Sequence, residues 1–227
     1  MANIRQLASG HWQVQIRLII PPGTKLNERE LCEKLNVSRT PLREAIKLLA
    51  TSGMVELLQN RGAVAVELSE EDVINSFEVL ATLEGMSGEL AAQRIGDDRR
   101  NEIRALHYEM LAYFTRSDLS GYYRINTKIH QALIEAADNP VLTAAHEMTN
   151  ARLQSLRFRT NQNRTQWQQA VKEHSMMIEA LDARDAGGLK AILTGHLLNK
   201  RDSILEFMRK GSSATMPIRA INGSPVA

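Results

Sequence analysis

The chain has 227 residues, of which 43% are hydrophobic and 24% are charged, and its formal net charge is +2. A single domain usually has about 100–150 residues, so two domains are expected, and the composition excludes a wholly disordered chain. No apolar run approaches the roughly 20 residues that a membrane span needs. The start MANIRQLASG also lacks the basic-then-apolar layout of a secretory signal, so we expect a cytoplasmic protein. The single cysteine, Cys32, excludes an intramolecular disulfide and a CxxC pair.

Positive charge is concentrated in the first third of the chain. Residues 1–68 hold nine Lys/Arg and six Asp/Glu, a net charge of +3, which leaves 19 of the 28 basic and 20 of the 26 acidic residues for the remainder. A small basic domain joined to a neutral one is consistent with a nucleic-acid binder. Arginines that only solvate a helix surface would give the same charge pattern.

Residues 26–53 carry the pattern of two short helices. In 26-LNERELCEKLNV-37 the apolar residues have helical spacing and Asn27 is a suitable N-cap. A second helix is predicted over 38-SRTPLREAIKLLATSG-53, with Pro41 in its first turn and Gly53 at its end. Its buried stripe is predicted to comprise Leu42, Ala45, Ile46 and Leu49.

A β-hairpin follows these helices. The segments 54-MVELL-58 and 63-AVAVEL-68 read as strands on either side of 59-QNRG-62, where Gly62 supplies the tight turn. Two short helices followed by a hairpin are typical of a winged helix-turn-helix. In that fold the second helix enters the major groove of DNA.

The second helix begins with side chains suited to DNA. Arg39 and Arg43 are four residues apart and share a face, and arginine is the side chain that best recognises guanine. Ser38 and Thr40 are placed to contact phosphates near a helix N-terminus. The turn at Arg61-Gly62 would reach an adjacent groove or the backbone.

The segment 22-PGTKLNERELCEKLNVSRTPLREAIKLLATSGMVELLQNRGAVA-65 closely resembles the DNA-binding domain of the GntR family of bacterial transcription regulators. By that similarity the DNA contacts would be Arg29, Ser38, Arg39, Thr40, Arg43 and Gly62. The resemblance also places a first helix before Pro21, where Arg17-Leu18-Ile19-Ile20 stands in place of the family's usual glycine. It implies a homodimer that binds double-stranded operator DNA. The protein would be located in the cytoplasm, and at the nucleoid when it is bound to DNA.

After Ser69 the strand signals end and helical patterns continue. Apolar spacing predicts a helix in the 25 residues that follow and further helices near 98–115, 119–137, 140–160, 165–184 and 186–209. Six helices with short connections predict an all-α antiparallel bundle over residues 69–210. The chain is therefore expected to be mainly α, with residues 1–68 forming the winged domain and the Gly-, Ser- and Pro-rich residues 211–227 forming a flexible tail.

Three histidines lie on apolar stripes of different predicted helices, and these are His130, His174 and His196. Imidazoles directed into one bundle interior suit a first-row divalent metal. Periodicity alone does not select them, because His107 and His146 border apolar stripes too, and a single inward histidine is more often a hydrogen-bonded core residue. No histidine has Glu three residues before it and HExxH is absent, so we expect no enzyme activity.

Residues 72–209 are similar to the FCD ligand-binding domain of the FadR subfamily of GntR regulators. The similarity rests on 83-LEG-85, 89-ELAA-92, 130-HQALIEAADNP-140, 173-EHSMMIEALDARD-185 and 196-HL-197. It implies a divalent metal, such as Zn, Ni, Mn or Fe, held by Asn126, His130, His174 and His196. Asn126 stands where relatives usually have Asp, and Leu80 stands where they often have Arg.

The resemblance also implies a function for the bundle. A small organic acid would bind at the metal and shift the bundle, and the DNA-binding domains would be reoriented, most often to relieve repression. An Asn carbonyl adds no negative charge, so we expect weaker metal binding than with Asp. The alternative is a DNA-binding regulator whose bundle is a metal-free dimerisation or ligand module with structural histidines.

Overall fold

The computed structural model describes residues 2–6, 12–16, 20–59, 61–159 and 164–211. Its contacts divide the chain into two compact units, Met1–Ser69 and Glu70–Ala227. The described helices include none that is both long enough and apolar enough to cross a membrane. The predicted tail falls outside these ranges, apart from Gly211, which ends the last helix.

The first unit contains the two predicted helices, α1 (Glu28–Leu35) and α2 (Arg39–Thr51). The side chain of Asn27 accepts hydrogen bonds from the backbone N–H groups of Arg29 and Glu30, which confirms it as the N-cap of α1. Asn36 ends α1 in the left-handed conformation, at φ 51°. The turn between α1 and α2 is therefore fixed by local hydrogen bonds.

A three-stranded antiparallel sheet packs against these helices. Strands β4 (Val55–Leu58) and β5 (Gly62–Ala65) form the predicted hairpin, and the short β3 (Lys25–Leu26), which the sequence did not indicate, pairs with β5. Gly62 has φ +88°, a conformation that favours glycine. The core of the unit consists of Leu26, Leu42, Ile46, Val55 and Ala63.

Two expectations for this unit differ from the structure. Leu42 and Ile46 of the α2 stripe are buried, but Ala45 is exposed and Leu49 is 37% exposed, because the sheet covers only one side of a short helix. The helix implied before Pro21 is absent from the described residues there, which instead form β1 (Ala2–Gln6) and β2 (Trp12–Ile16), paired antiparallel. The alternation of apolar and polar residues in 12-WQVQI-16 has the two-residue period of a strand.

The second unit is all-helical over its described residues, which confirms the predicted fold class. Its helices follow one another with short connections: α3 (Glu70–Arg94), α4 (Asp97–Thr115), α5 (Leu119–Ala136), α6 (Pro140–Arg159), α7 (Arg164–Asp182) and α8 (Ala186–Gly211). Gly85 and Gly88 allow α3 and α8 to approach closely, since a Cβ atom at either would lie 2.4 Å from a side-chain atom of α8. One core cluster draws residues from α3, α4, α5, α7 and α8.

Candidate metal centre and DNA-binding surface

Three imidazoles from different helices meet inside the second unit. His130 on α5, His174 on α7 and His196 on α8 each place a ring nitrogen within 4.8 Å of the other two. Their ring centroids are 4.8–5.2 Å apart, and all three side chains are buried. The structure therefore brings together the three histidines that the sequence proposed as ligands.

The Nδ1 atom of each of these rings already has an acceptor beside it. His130 Nδ1 lies 2.6 Å from Glu84 Oε2, His174 Nδ1 lies 2.8 Å from the carbonyl oxygen of Ala170, and His196 Nδ1 lies 2.6 Å from Glu173 Oε2. An Nδ1–H that donates to an oxygen leaves Nε2 as the bare lone pair. Among the described residues, Nε2 of His130 and of His174 has no hydrogen-bond partner although both atoms are buried.

Burial keeps two of these rings neutral. The pKa of His174 lies well below the ordinary value of 6.5, mainly because the ring is desolvated and secondarily because His196 and His130 are adjacent. Burial also lowers the pKa of His196, although the Glu173 carboxylate partly opposes that effect. A neutral imidazole is the form that binds a metal.

Two buried carboxylates support the histidines. Glu84 is 1% exposed, and its second oxygen lies 3.1 Å from Nε2 of the buried His146. Glu173 accepts hydrogen bonds from Asn199 and Gln169 at 2.7 and 2.9 Å. Burial alone would raise the pKa of Glu173, but hydrogen bonds from His196, Gln169 and Asn199 outweigh it and the pKa falls below its ordinary value.

Sequence reasoning did not assign Glu84, Glu173 or His146 to the site. One signal was available for Glu84, because it stands one turn after Leu80 on the buried stripe of α3, where a charged residue needs a partner. His146 borders an apolar stripe of its predicted helix, but that spacing alone does not distinguish it from a hydrogen-bonded core histidine. The partners of these residues are recognisable only after the helices are packed.

Asn126 is 8% exposed and lies one helical turn before His130 on α5, so both side chains share one face. Leu80 is fully buried. The buried polar side chains of the described residues comprise carboxylates, imidazoles, an amide and a hydroxyl, and they include no Arg or Lys. The nitrogen atoms Nε of Arg100 and Arg152 are buried as well, although these two residues are partly exposed as a whole.

The donor set suits a divalent transition metal. Buried Nε2 atoms without partners, neutral rings and oxygen acceptors at Nδ1 are the features of a histidine metal site with its supporting hydrogen bonds. His130, His174 and His196 would hold the ion. When bound, a divalent ion would supply a Lewis-acidic centre with coordination positions left for ligand oxygen atoms.

The seven proposed DNA contacts are all exposed on the first unit, and they are Arg29, Ser38, Arg39, Thr40, Arg43, Arg61 and Gly62. Ser38 occupies the N-cap position of α2, yet its side chain makes no capping hydrogen bond. Its hydroxyl is therefore available to a phosphate beside the first backbone N–H groups of α2.

Two of the arginines form ion pairs with carboxylates of α1. The Nε atom of Arg43 lies 2.9 Å from Glu28 Oε2, and Arg29 Nε lies 3.2 Å from Glu33 Oε1. Both pairs are exposed and therefore weak. The Glu28 pair joins Arg43 on α2 to the first residue of α1.

Comparison with known proteins decides the family. Residues 75–199 match the FCD domain, and residues 16–64 match the bacterial regulatory proteins of the gntR family. The chain belongs to the GntR family. This GntR chain is 25% identical over 198 residues to the HTH-type transcriptional repressor RspR of Escherichia coli, across 87% of this chain and 86% of that protein. It is 29% identical to the Nta operon transcriptional regulator of Aminobacter aminovorans, across 83% and 88%.

The structural comparison agrees with this assignment. The GntR chain resembles E. coli McbR/YncC with a TM-score of 0.74 at 18% identity, over 82% of this chain and 89% of that chain, which shows a shared fold. It is a transcription regulator and not an enzyme, as the sequence predicted. GntR regulators bind operator DNA, and FCD domains bind small-molecule effectors.

Proposed function

We propose that this regulator is a metabolite-responsive repressor of the FadR subfamily, whose effector binds at a divalent metal in the α3–α8 bundle. The observation that carries the proposal is the cluster of three buried imidazoles, with Nε2 of His130 and His174 unpartnered among the described residues. The name of RspR, a repressor, favours repression for this chain. The protein would act in the cytoplasm, at the nucleoid when bound to DNA.

The proposed effector is a small organic acid. A carboxylate needs a cation when it leaves water, and the buried polar side chains that the structure describes include no Arg or Lys. The metal would supply that positive charge, with Asn126 beside it as a neutral hydrogen-bonding group or a fourth ligand. An effector that binds the metal-loaded bundle better in one conformation than in another would shift the population toward that conformation.

A homodimer is part of the proposal, and the second unit offers a surface for a second copy of the chain. Val79 and Met86 on α3 are 51% and 42% exposed, and Val141 and Met148 on α6 are 78% and 61% exposed. Each pair is separated by seven residues, which is two helical turns, so each forms a stripe along its helix. We call these four residues the apolar strip.

The two helices that carry the apolar strip pack against each other. Asp72 stands two turns before Val79 and Arg152 one turn after Met148, and these two side chains form an ion pair at 3.9 Å between α3 and α6. Self-association through this strip would give a dimer with two winged domains, and helix-turn-helix dimers bind two half-sites of an operator.

Metal uptake tests the proposal against a bundle with purely structural histidines. The wild-type chain should bind Zn²⁺ or Ni²⁺, and the double variant His174→Ala/His196→Ala should not, while both should bind operator DNA. Metal content would be measured by elemental analysis and DNA binding by fluorescence anisotropy. A wild-type chain that takes up neither metal would refute the metal-dependent sensor, and joint loss of metal and DNA binding would indicate a folding role for the histidines.

A further inference from the structure

We propose that Glu84 and Glu173 are positioning residues that compensate the charge of the bound metal, in place of a ligating carboxylate. This inference rests on the proposed metal site. Three neutral imidazoles and the amide of Asn126 bring no charge to a divalent ion, and an uncompensated charge in a buried site is strongly unfavourable. Glu84 and Glu173 each accept a hydrogen bond from one of the ligating histidines. Their two negative charges would offset the +2 charge of the ion, so the site as a whole would carry no net charge.

Glu84 is placed for this role by its position between two imidazoles. Its two oxygens lie 2.6 Å from His130 Nδ1 and 3.1 Å from His146 Nε2, so the carboxylate is held from both sides. Its side chain is 2% exposed. A buried carboxylate held in this way orients the His130 ring and makes its Nε2 a stronger electron donor.

Glu173 supports another of the proposed ligands, His196, in the same way. One oxygen lies 2.6 Å from His196 Nδ1, while the other accepts hydrogen bonds from Asn199 and Gln169. The Glu173 carboxylate thus has three hydrogen-bond partners, and hydrogen bonds of this kind stabilise the charged form of a buried carboxylate. Among the described residues, the acceptor behind His174 Nδ1 is a backbone carbonyl, so the two negative charges lie behind His130 and His196.

If the two glutamates act through their negative charge, removing that charge without changing the side-chain shape should weaken zinc binding. Glu84→Gln and Glu173→Gln keep the side-chain volume and an oxygen that can accept from Nδ1–H, but they remove the charge. Each should raise the Kd for Zn²⁺ by about 10–100-fold, as loss of such partners typically does. The probe is zinc alone, titrated into the metal-free full-length chain and followed by isothermal calorimetry.

Matched controls come from the same helices. Glu89 on α3 pairs with Lys190 at 2.7 Å on the surface, and Glu179 on α7 is exposed, so Glu89→Gln and Glu179→Gln remove equal charges outside the centre. Both controls should leave the zinc Kd within about twofold of wild type, because exposed charges are screened by water and salt.

A second substitution tests whether the Gln variants lose zinc affinity because a charge is missing or because the structure of the site has changed. Asn126→Asp returns one negative charge beside His130 and should lower the zinc Kd of both the Glu84→Gln and the Glu173→Gln chains. If that substitution rescues neither variant, or if both variants bind zinc as wild type does, charge compensation is wrong while the metal site itself stands. A wild-type chain that binds neither zinc nor nickel would instead overturn the proposed function from which the inference starts.

Discussion

Zinc should raise the melting temperature of the α3–α8 bundle. The proposed ligands lie on α5, α7 and α8, so unfolding must separate all three, and the unfolded chain keeps no two of these histidines close in sequence. Binding to the folded state alone stabilises it by about 2.7 kcal/mol when free metal is at 100 times Kd. For a unit of roughly 150 residues that corresponds to an increase in Tm of about 5–10 °C.

Differential scanning calorimetry of the metal-free chain, with and without zinc, measures this shift. Mg²⁺ is a suitable control, because it prefers oxygen ligands and should leave the Tm unchanged. The double variant His174→Ala/His196→Ala should melt at one temperature whether or not zinc is present. An equal zinc-dependent shift in wild type and in that variant would show that the metal binds elsewhere, and the reasoning from the three imidazoles would then be refuted.

Three further outcomes are expected. Arg43→Ala should weaken specific operator binding by about 1–3 kcal/mol in fluorescence anisotropy if it reads a base, whereas an equal loss on random DNA would mark a phosphate contact. Met148→Glu should convert the proposed dimer to monomer in analytical ultracentrifugation, because it places a charge in the apolar strip; an unchanged mass would move the interface elsewhere. The free energy of unfolding of the metal-free chain should fall as the pH drops below about 6.5, because the unfolded chain then binds protons that the folded His174, whose pKa is depressed by burial, does not. Denaturant titrations across that range should show a weaker pH dependence for His174→Asn, and equal dependence in both chains would contradict this assignment.

Local signals in the sequence predicted most of the helices. The N-cap at Asn27 and the helices predicted near 98–115, 119–137 and 140–160 agree with the structure to within a few residues. These signals work because capping and apolar spacing act between residues at most four positions apart. The segment before Pro21 shows the limit of family resemblance, since its own two-residue alternation is the better guide to the strands β1 and β2 there.

The sequence alone determined that a basic helix-turn-helix precedes a helical bundle, and that His130, His174 and His196 each lie on an apolar face. Those properties depend on neighbours along the chain. Only the tertiary structure decided that the three imidazoles share one interior, and that Glu84 and Glu173 lie behind two of them. The contact between Glu84 and His130 joins residues 46 positions apart, so it arises from the packing of α3 on α5 and leaves no periodic trace in the sequence.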